Sequence, residues 1–194
     1  MKPQAKILGS QTIYNGRVVK LKLDRVIEPG GVAASREVVV HPGSVVVLPS
    51  LDDGRIVLVR QFRYAVGKSL WELVAGGLEP NETPLAAARR ELREETGYEA
   101  GKLRRLLSFY PTPGFVSERM HLVEATSLIR SKAAPEADER IRVGHFTHQQ
   151  LIKMLRQHRV EDAKTLIGLL WLFQPSGRLE AAWKQGRGRE RNRS

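Results

Sequence analysis

The segment from Thr83 to Gly97 constrains this chain more than any other. It must be a helix, yet it carries charge where a helix tolerates it least. Thr83 is a suitable N-cap, and Pro84 follows at the first helical position, where its missing N–H costs nothing. Gly97 suits the left-handed turn just beyond a last helical turn. Between these ends Leu85, Ala88 and Leu92 recur at helical spacing and predict a buried stripe, while Arg89, Arg90, Glu91, Arg93, Glu94 and Glu95 crowd the other faces. Glu91, Glu94 and Glu95 stand at i, i+3 and i+4, so their carboxylates share one side of adjacent turns at the C-terminal end. Each like-charged pair at that spacing costs about 0.2–0.5 kcal/mol, and each anion near the negative helix end about 0.3–1 kcal/mol. Arg90 and Arg93 offset part of this, and a solvated charged face is one reading of the pattern. A hard divalent cation offsets it better, because Mg²⁺ takes oxygen ligands and binds through a few carboxylates together with substrate phosphates. A helix that breaks a local rule in this way marks a candidate site.

Composition narrows the surroundings. The 194 residues suffice for one domain with a substantial core, or a small domain with an appendage. Lys and Arg number 32 against 21 Asp and Glu, a formal net charge of +11 that points to a polyanionic partner, phosphates first. The absence of cysteine excludes disulfides, zinc–thiolate sites, iron–sulfur clusters and a cysteine nucleophile, and it fits a reducing compartment. Residues Met1 to Leu8 lack an apolar signal core, and no run of about 18 apolar residues occurs, so the expectation is a cytoplasmic protein without a membrane span.

The remaining pattern is mixed. Val18–Leu23, Glu37–Val40, Val45–Leu48 and Ile56–Arg60 read as strands, the last two as adjacent antiparallel partners across Asp52-Asp53-Gly54. Trp71–Val74 reads as another strand running into Ala75-Gly76-Gly77, where a backbone stripped of side chains invites close approach. Further strands are expected at Leu106–Phe109, His121–Glu124 and Ile141–Phe146, and helices after Thr147 and over Ala163–Phe173. The tail from Lys184 to Ser194 is arginine-rich and free of apolar residues, so it is expected to be disordered; it is either a solvated terminus or an arm for RNA or an acidic partner.

Gly76-x5-Glu82-x7-Arg90-Glu91-Leu92-x-Glu94-Glu95-x-Gly97-Tyr98 matches every position of the Nudix box. Seven fixed identities at fixed spacing arise by chance on the order of once in 10⁸ start positions. The chain thus resembles the Nudix hydrolases, which act on nucleoside diphosphates linked to another moiety. The resemblance implies an α/β/α sandwich with a mixed β-sheet, here with an N-terminal antiparallel β extension. Trp71-Glu72-Leu73-Val74-Ala75-Gly76, Arg60-Gln61-Phe62-Arg63, Tyr110–Glu118 and Glu161–Thr165 are similar to segments of ADP-ribose pyrophosphatases. Val74 departs from a common proline, and Gly144-His145 from a bulkier or acidic residue and an aromatic.

The resemblance also implies roles. Glu91, Glu94 and Glu95, with the Ala75 carbonyl, would ligate Mg²⁺ or Mn²⁺; Glu82 and Arg90 would orient the ligand helix, and Gly76 and Gly97 would meet backbone requirements. Arg63 would contact phosphates, Glu118 a distal ribose, and Glu72 belongs to the same substrate-binding set. Glu139, or else Glu136, would take a proton from the attacking water, unless the base is Glu94 in the box itself. The implied organisation is a strand extension over residues 1–42 for dimerisation and substrate recognition, a hydrolase domain over 43–176 and a basic tail over 177–194. The implied activity is hydrolysis of ADP-ribose or a related nucleoside diphosphate sugar by a homodimer. Dinucleoside polyphosphates, NADH or RNA 5′ ends are alternative substrates, and a non-catalytic nucleotide or RNA binder is an alternative of another class.

Overall fold

The computed structural model describes residues 4–131 and 140–174. Glu136, Glu139 and the arginine-rich tail lie outside the described residues. Strands β1 (Lys6–Asn15), β2 (Lys20–Ile27) and β3 (Ala33–Val40) form an antiparallel meander of their own. No hydrophobic alternation betrays β1 in the sequence, because every residue of it but the half-buried Gly9 is exposed.

The rest of the molecule is built around two buried strands. β4 (Ser44–Pro49) lies inside a mixed sheet of order β7-β4-β9-β8, with β7 (Val74–Gly77), β8 (Tyr98–Phe109) and β9 (Met120–Arg130); it runs parallel to β9 and antiparallel to β7. β5 (Ile56–Arg63) is the centre of an antiparallel sheet, β10-β5-β6, with β6 (Lys68–Glu72) and β10 (Arg142–Phe146). The Asp-Gly pair does turn the chain, with Gly54 at φ +81° and its N–H donating to the Leu51 carbonyl at 2.9 Å. Yet β4 and β5 are not the ladder partners that pair suggests; the isolated bridge beside the turn joins Ser50, just past β4, to Ile56. A strand has two hydrogen-bonding edges. Those of β4 are filled by β7 and β9, those of β5 by β6 and β10, so neither keeps an edge for the other.

Alternation along these strands sorts the core into two clusters. Val45, Val47, Val57 and Val59 face one, closed by Ala87, Ala88 and Leu92 of α1 (Pro84–Thr96). Val46, Leu48, Ile56 and Leu58 face the other, closed by Leu151 and Met154 of α2 (His148–Arg156) and Leu169 of α3 (Ala163–Phe173). Helices therefore cover both faces of one sheet layer, the α/β/α sandwich expected. Each fully buried Val or Leu contributes about 1.5–3 kcal/mol, which makes this layer the main source of stability.

Two sequence expectations change here. Leu85 is 42% exposed in the entry turn of α1, and Ala87 replaces it in the interface, where small residues let the helix approach the sheet. The run Trp71–Val74 is not one strand. It breaks at Leu73, whose N–H donates to the Thr165 hydroxyl at 2.8 Å instead of to a neighbouring strand, and the flanks join different sheets. The caps behave as their residue types require: the Thr83 hydroxyl accepts from Ala86 N–H, Thr147 and Gln150 form a capping box, and Gly97 takes φ +69°. Among the described residues no helix is long and apolar enough to cross a membrane.

Candidate active site

The pairing of β7 with β4 places Gly76 beside Val45 and Ala75 beside Val46, with the last turns of α1 packed over them. A Cβ built on Gly76 would lie 1.9 Å from Oε1 of Glu91. Glycine here is the space into which the Glu91 carboxylate fits.

Arg90 organises the surrounding charge. Its Nε and Nη2 donate to Oε1 and Oε2 of Glu82 at 3.0 and 2.9 Å, a bidentate pair. Nη1 donates to Glu91 at 2.7 Å and Glu94 at 3.1 Å, and Nη2 also reaches the Gly77 carbonyl at 3.0 Å. One guanidinium thus ties together the loop before α1, strand β7 and two of the three carboxylates anticipated as a cluster. Hydrogen bonding from Arg90, aided by the Glu79 N–H, holds the Glu82 carboxyl below the usual range, and the same contacts raise Arg90 further above neutrality. Glu95, the third carboxylate, is buried on the sheet-facing side and adds its charge to the field around Arg63. Among the described residues no three carboxylate or imidazole groups converge on one point, because Glu91 and Glu94 are turned onto Arg90.

The donor set suits a hard divalent cation. Beside the Ala75 carbonyl its members are carboxylate oxygens, Glu82, Glu91, Glu94 and Glu95 outnumber Arg90, and the glycine cradle at position 76 admits a carboxylate to the β7 backbone.

The other anticipated residues divide into two groups. Arg63, at the end of β5, donates from Nε and Nη2 to Oε1 and Oε2 of Glu72 at 2.9 and 2.8 Å. Glu72, 1% exposed, also accepts from Lys164, which in turn pairs with Asp162 at 2.9 Å. Glu118 lies elsewhere, at the mouth of β4, where it accepts from the Ser44 hydroxyl at 2.7 Å with His41 Nδ1 3.7 Å away. Lys164, Asp162 and Ser44 carried no assignment from the sequence. Lys164 and Asp162 fall in the segment Glu161–Thr165 that carries a resemblance, but the burial that gives Lys164 its place is not visible in a pattern. The departure at Gly144 has a packing reason: a Cβ there would lie 2.7 Å from the Trp71 and Phe146 rings, which meet edge-on at a centroid distance of 4.9 Å. His145 is likewise engaged, 3.1 Å from the Tyr98 hydroxyl.

A layered α/β/α domain whose edge strand β7 leads through glycines into a glutamate-bearing helix is a recognisable class, and comparison with known proteins agrees. Residues 40–169 match the NUDIX domain model, and the chain belongs to the NUDIX domain family. It is a hydrolase of that family. It is 39% identical to the ADP-ribose pyrophosphatase of Bacillus subtilis (strain 168) over 171 residues, 87% of this chain and 92% of that protein. It is 38% identical, over the same shares, to the methanol dehydrogenase activator of Bacillus methanolicus. A solved structure described as an ADP compounds hydrolase superposes with a TM-score of 0.76 at 23% identity, covering 96% of this chain and 97% of that one, and supports the fold.

Proposed function

We propose that this hydrolase cleaves the diphosphate of ADP-ribose, or of a related nucleoside diphosphate sugar, into a nucleoside monophosphate and a sugar phosphate. The observation that carries the reading is the seating of Glu91 against Gly76, with Glu94 and Glu95 on the same helix and Arg90 neutralising only part of the charge. The identity to a pyrophosphatase over most of both chains supports the substrate class.

Glu91, Glu94, Glu95 and the Ala75 carbonyl would hold Mg²⁺ or Mn²⁺. The chemistry a divalent cation would supply there is Lewis acidity toward water and the diphosphate oxygens. The protein's own groups do the rest. Arg63 offers its guanidinium to a phosphate, Glu72 holds that guanidinium in place, and Glu118 accepts hydroxyl hydrogens from the distal sugar. Glu139 remains the first choice for accepting the proton of the attacking water, Glu136 the second and Glu94 the alternative within α1.

The same reading extends to organisation. Ile7, Leu8, Ile13 and Tyr14 of β1 are exposed on a sheet of their own, as are Val18 and Val19 in the connection to β2, which supports residues 1–42 as a surface for a second copy and for the base of the substrate. Residues 43–176 would be the hydrolase domain and 177–194 a basic appendage dispensable for turnover. The cysteine-free sequence supports a cytoplasmic setting.

A product assay with Mg²⁺ on ADP-ribose, GDP-mannose, diadenosine polyphosphates, NADH and 5′-triphosphate RNA tests the reading. AMP and ribose 5-phosphate as the dominant products are expected. Silence on both sugars with phosphate or pyrophosphate released from RNA would overturn it.

A further inference from the structure

Arg63 is the outer end of a chain of alternating charges that runs into the protein. Its guanidinium is bidentate on Glu72; Oε2 of Glu72 is shared with Lys164; and Lys164 is paired with Asp162. Asp162 caps α3, accepting from the Thr165 N–H at 3.0 Å and the Thr165 hydroxyl at 2.5 Å. That hydroxyl in turn accepts from Leu73 N–H, between β6 and β7. The inner members are buried, Glu72 at 1% and Lys164 at 8% exposure, whereas the Arg63 side chain is 40% exposed.

Burial of this kind has a cost that a structural role alone does not require, since apolar residues of similar volume often serve stability equally well. The chain does something else for Arg63. A guanidinium has five N–H groups, and Glu72 takes two of them along one edge, which fixes the plane and leaves the other edge to the site. A bidentate Arg–Glu pair by itself is neutral and attracts a diphosphate poorly. Lys164 takes part of the Glu72 charge from behind and is balanced in turn by Asp162, so that in this alternating row the guanidinium is the exposed positive end.

We propose that Lys164, acting through Glu72, is a positioning residue that holds the Arg63 guanidinium in plane and positively charged for a substrate phosphate. The proposal rests on the reading that Arg63 contacts the diphosphate. Removing Lys164 leaves Glu72 to Arg63 alone, which draws the guanidinium inward and cancels its charge.

The test is a double-mutant cycle on ADP-ribose hydrolysis at saturating Mg²⁺, with thermal unfolding recorded for every variant. Lys164→Met is expected to raise KM between ~10- and ~100-fold with a much smaller change in kcat, and Arg63→Ala to do the same. In Arg63→Ala, adding Lys164→Met is expected to cost no further loss in kcat/KM, although it lowers the unfolding temperature again. If Lys164→Met does not fold, Glu72→Gln with Lys164→Met removes both buried charges; the amide leaves one acceptor where the carboxylate had two, the guanidinium plane is no longer fixed, and KM is expected to stay raised. Losses that multiply across the cycle, or a folded Lys164→Met or double variant with wild-type KM while Arg63→Ala is impaired, overturn the positioning role alone. Wild-type KM in Arg63→Ala overturns the reading of Arg63 and this proposal with it.

Discussion

Gly76 and Glu91 are fitted to one another so closely that a methyl group on the first would lie 1.9 Å from the carboxylate of the second. The clash is with the far end of a flexible side chain, so Gly76→Ala is expected to fold, with Glu91 displaced. Cation affinity, read from the Mg²⁺ dependence of turnover, is expected to fall ~10- to ~100-fold, with little change in the unfolding temperature. Unchanged Mg²⁺ dependence would remove Glu91 from the ligand set.

Glu94→Gln and Glu95→Gln preserve shape and hydrogen-bonding size while removing a charge. Each is expected to lower kcat at least ~100-fold with far-ultraviolet circular dichroism unchanged. Relief of repulsion at i, i+3 and i+4 offsets the loss of the Arg90–Glu94 ion pair, so stability is expected to change little. Near-normal activity at saturating Mg²⁺ would exclude the variant residue from the site.

Acid stability follows from Glu72. Burial alone would push its carboxyl up, but the hydrogen bond from Arg63 and the charge of Lys164 outweigh it and leave the carboxyl below its ordinary 4.5. A depressed carboxyl contributes stability that is present above its unfolded value and lost as pH falls through its folded value. Denaturant midpoints are therefore expected to drop as pH falls below about 4.5, and Glu72→Gln is expected to flatten that limb while lowering stability at neutral pH. An acid limb identical in both proteins would show that other carboxylates control it.

Gly144→Ala places a methyl group 2.7 Å from two rings packed edge-on. Rings cannot yield as a chain end does, so a loss of about 1–3 kcal/mol in urea denaturation is expected. A neutral result would mean that Trp71 and Phe146 repack freely.

Much of this molecule is legible in the order of its residues. α1 and its ends follow from Thr83, Pro84 and Gly97, α3 from the apolar run after Asp162, and the carboxylate cluster from glutamates at helical spacing, because each depends on neighbours within one or two turns. Spacing within a motif is local information. Pairing is not: the Asp-Gly turn is real, yet β4 and β5 part company because four other strands compete for their edges. Leu73 interrupts a run that reads as one strand because its partner, Thr165, lies 92 residues away. The order of residues alone settles where the helix that bears Glu91, Glu94 and Glu95 begins and ends, and that these carboxylates share one side of it. Only the tertiary structure decides that Arg90 gathers Glu82, Glu91 and Glu94, and that a buried lysine from α3 stands behind Arg63. The reason is physical: charge–charge contacts depend on distance through space and on exclusion of water, and both are set by packing between distant segments.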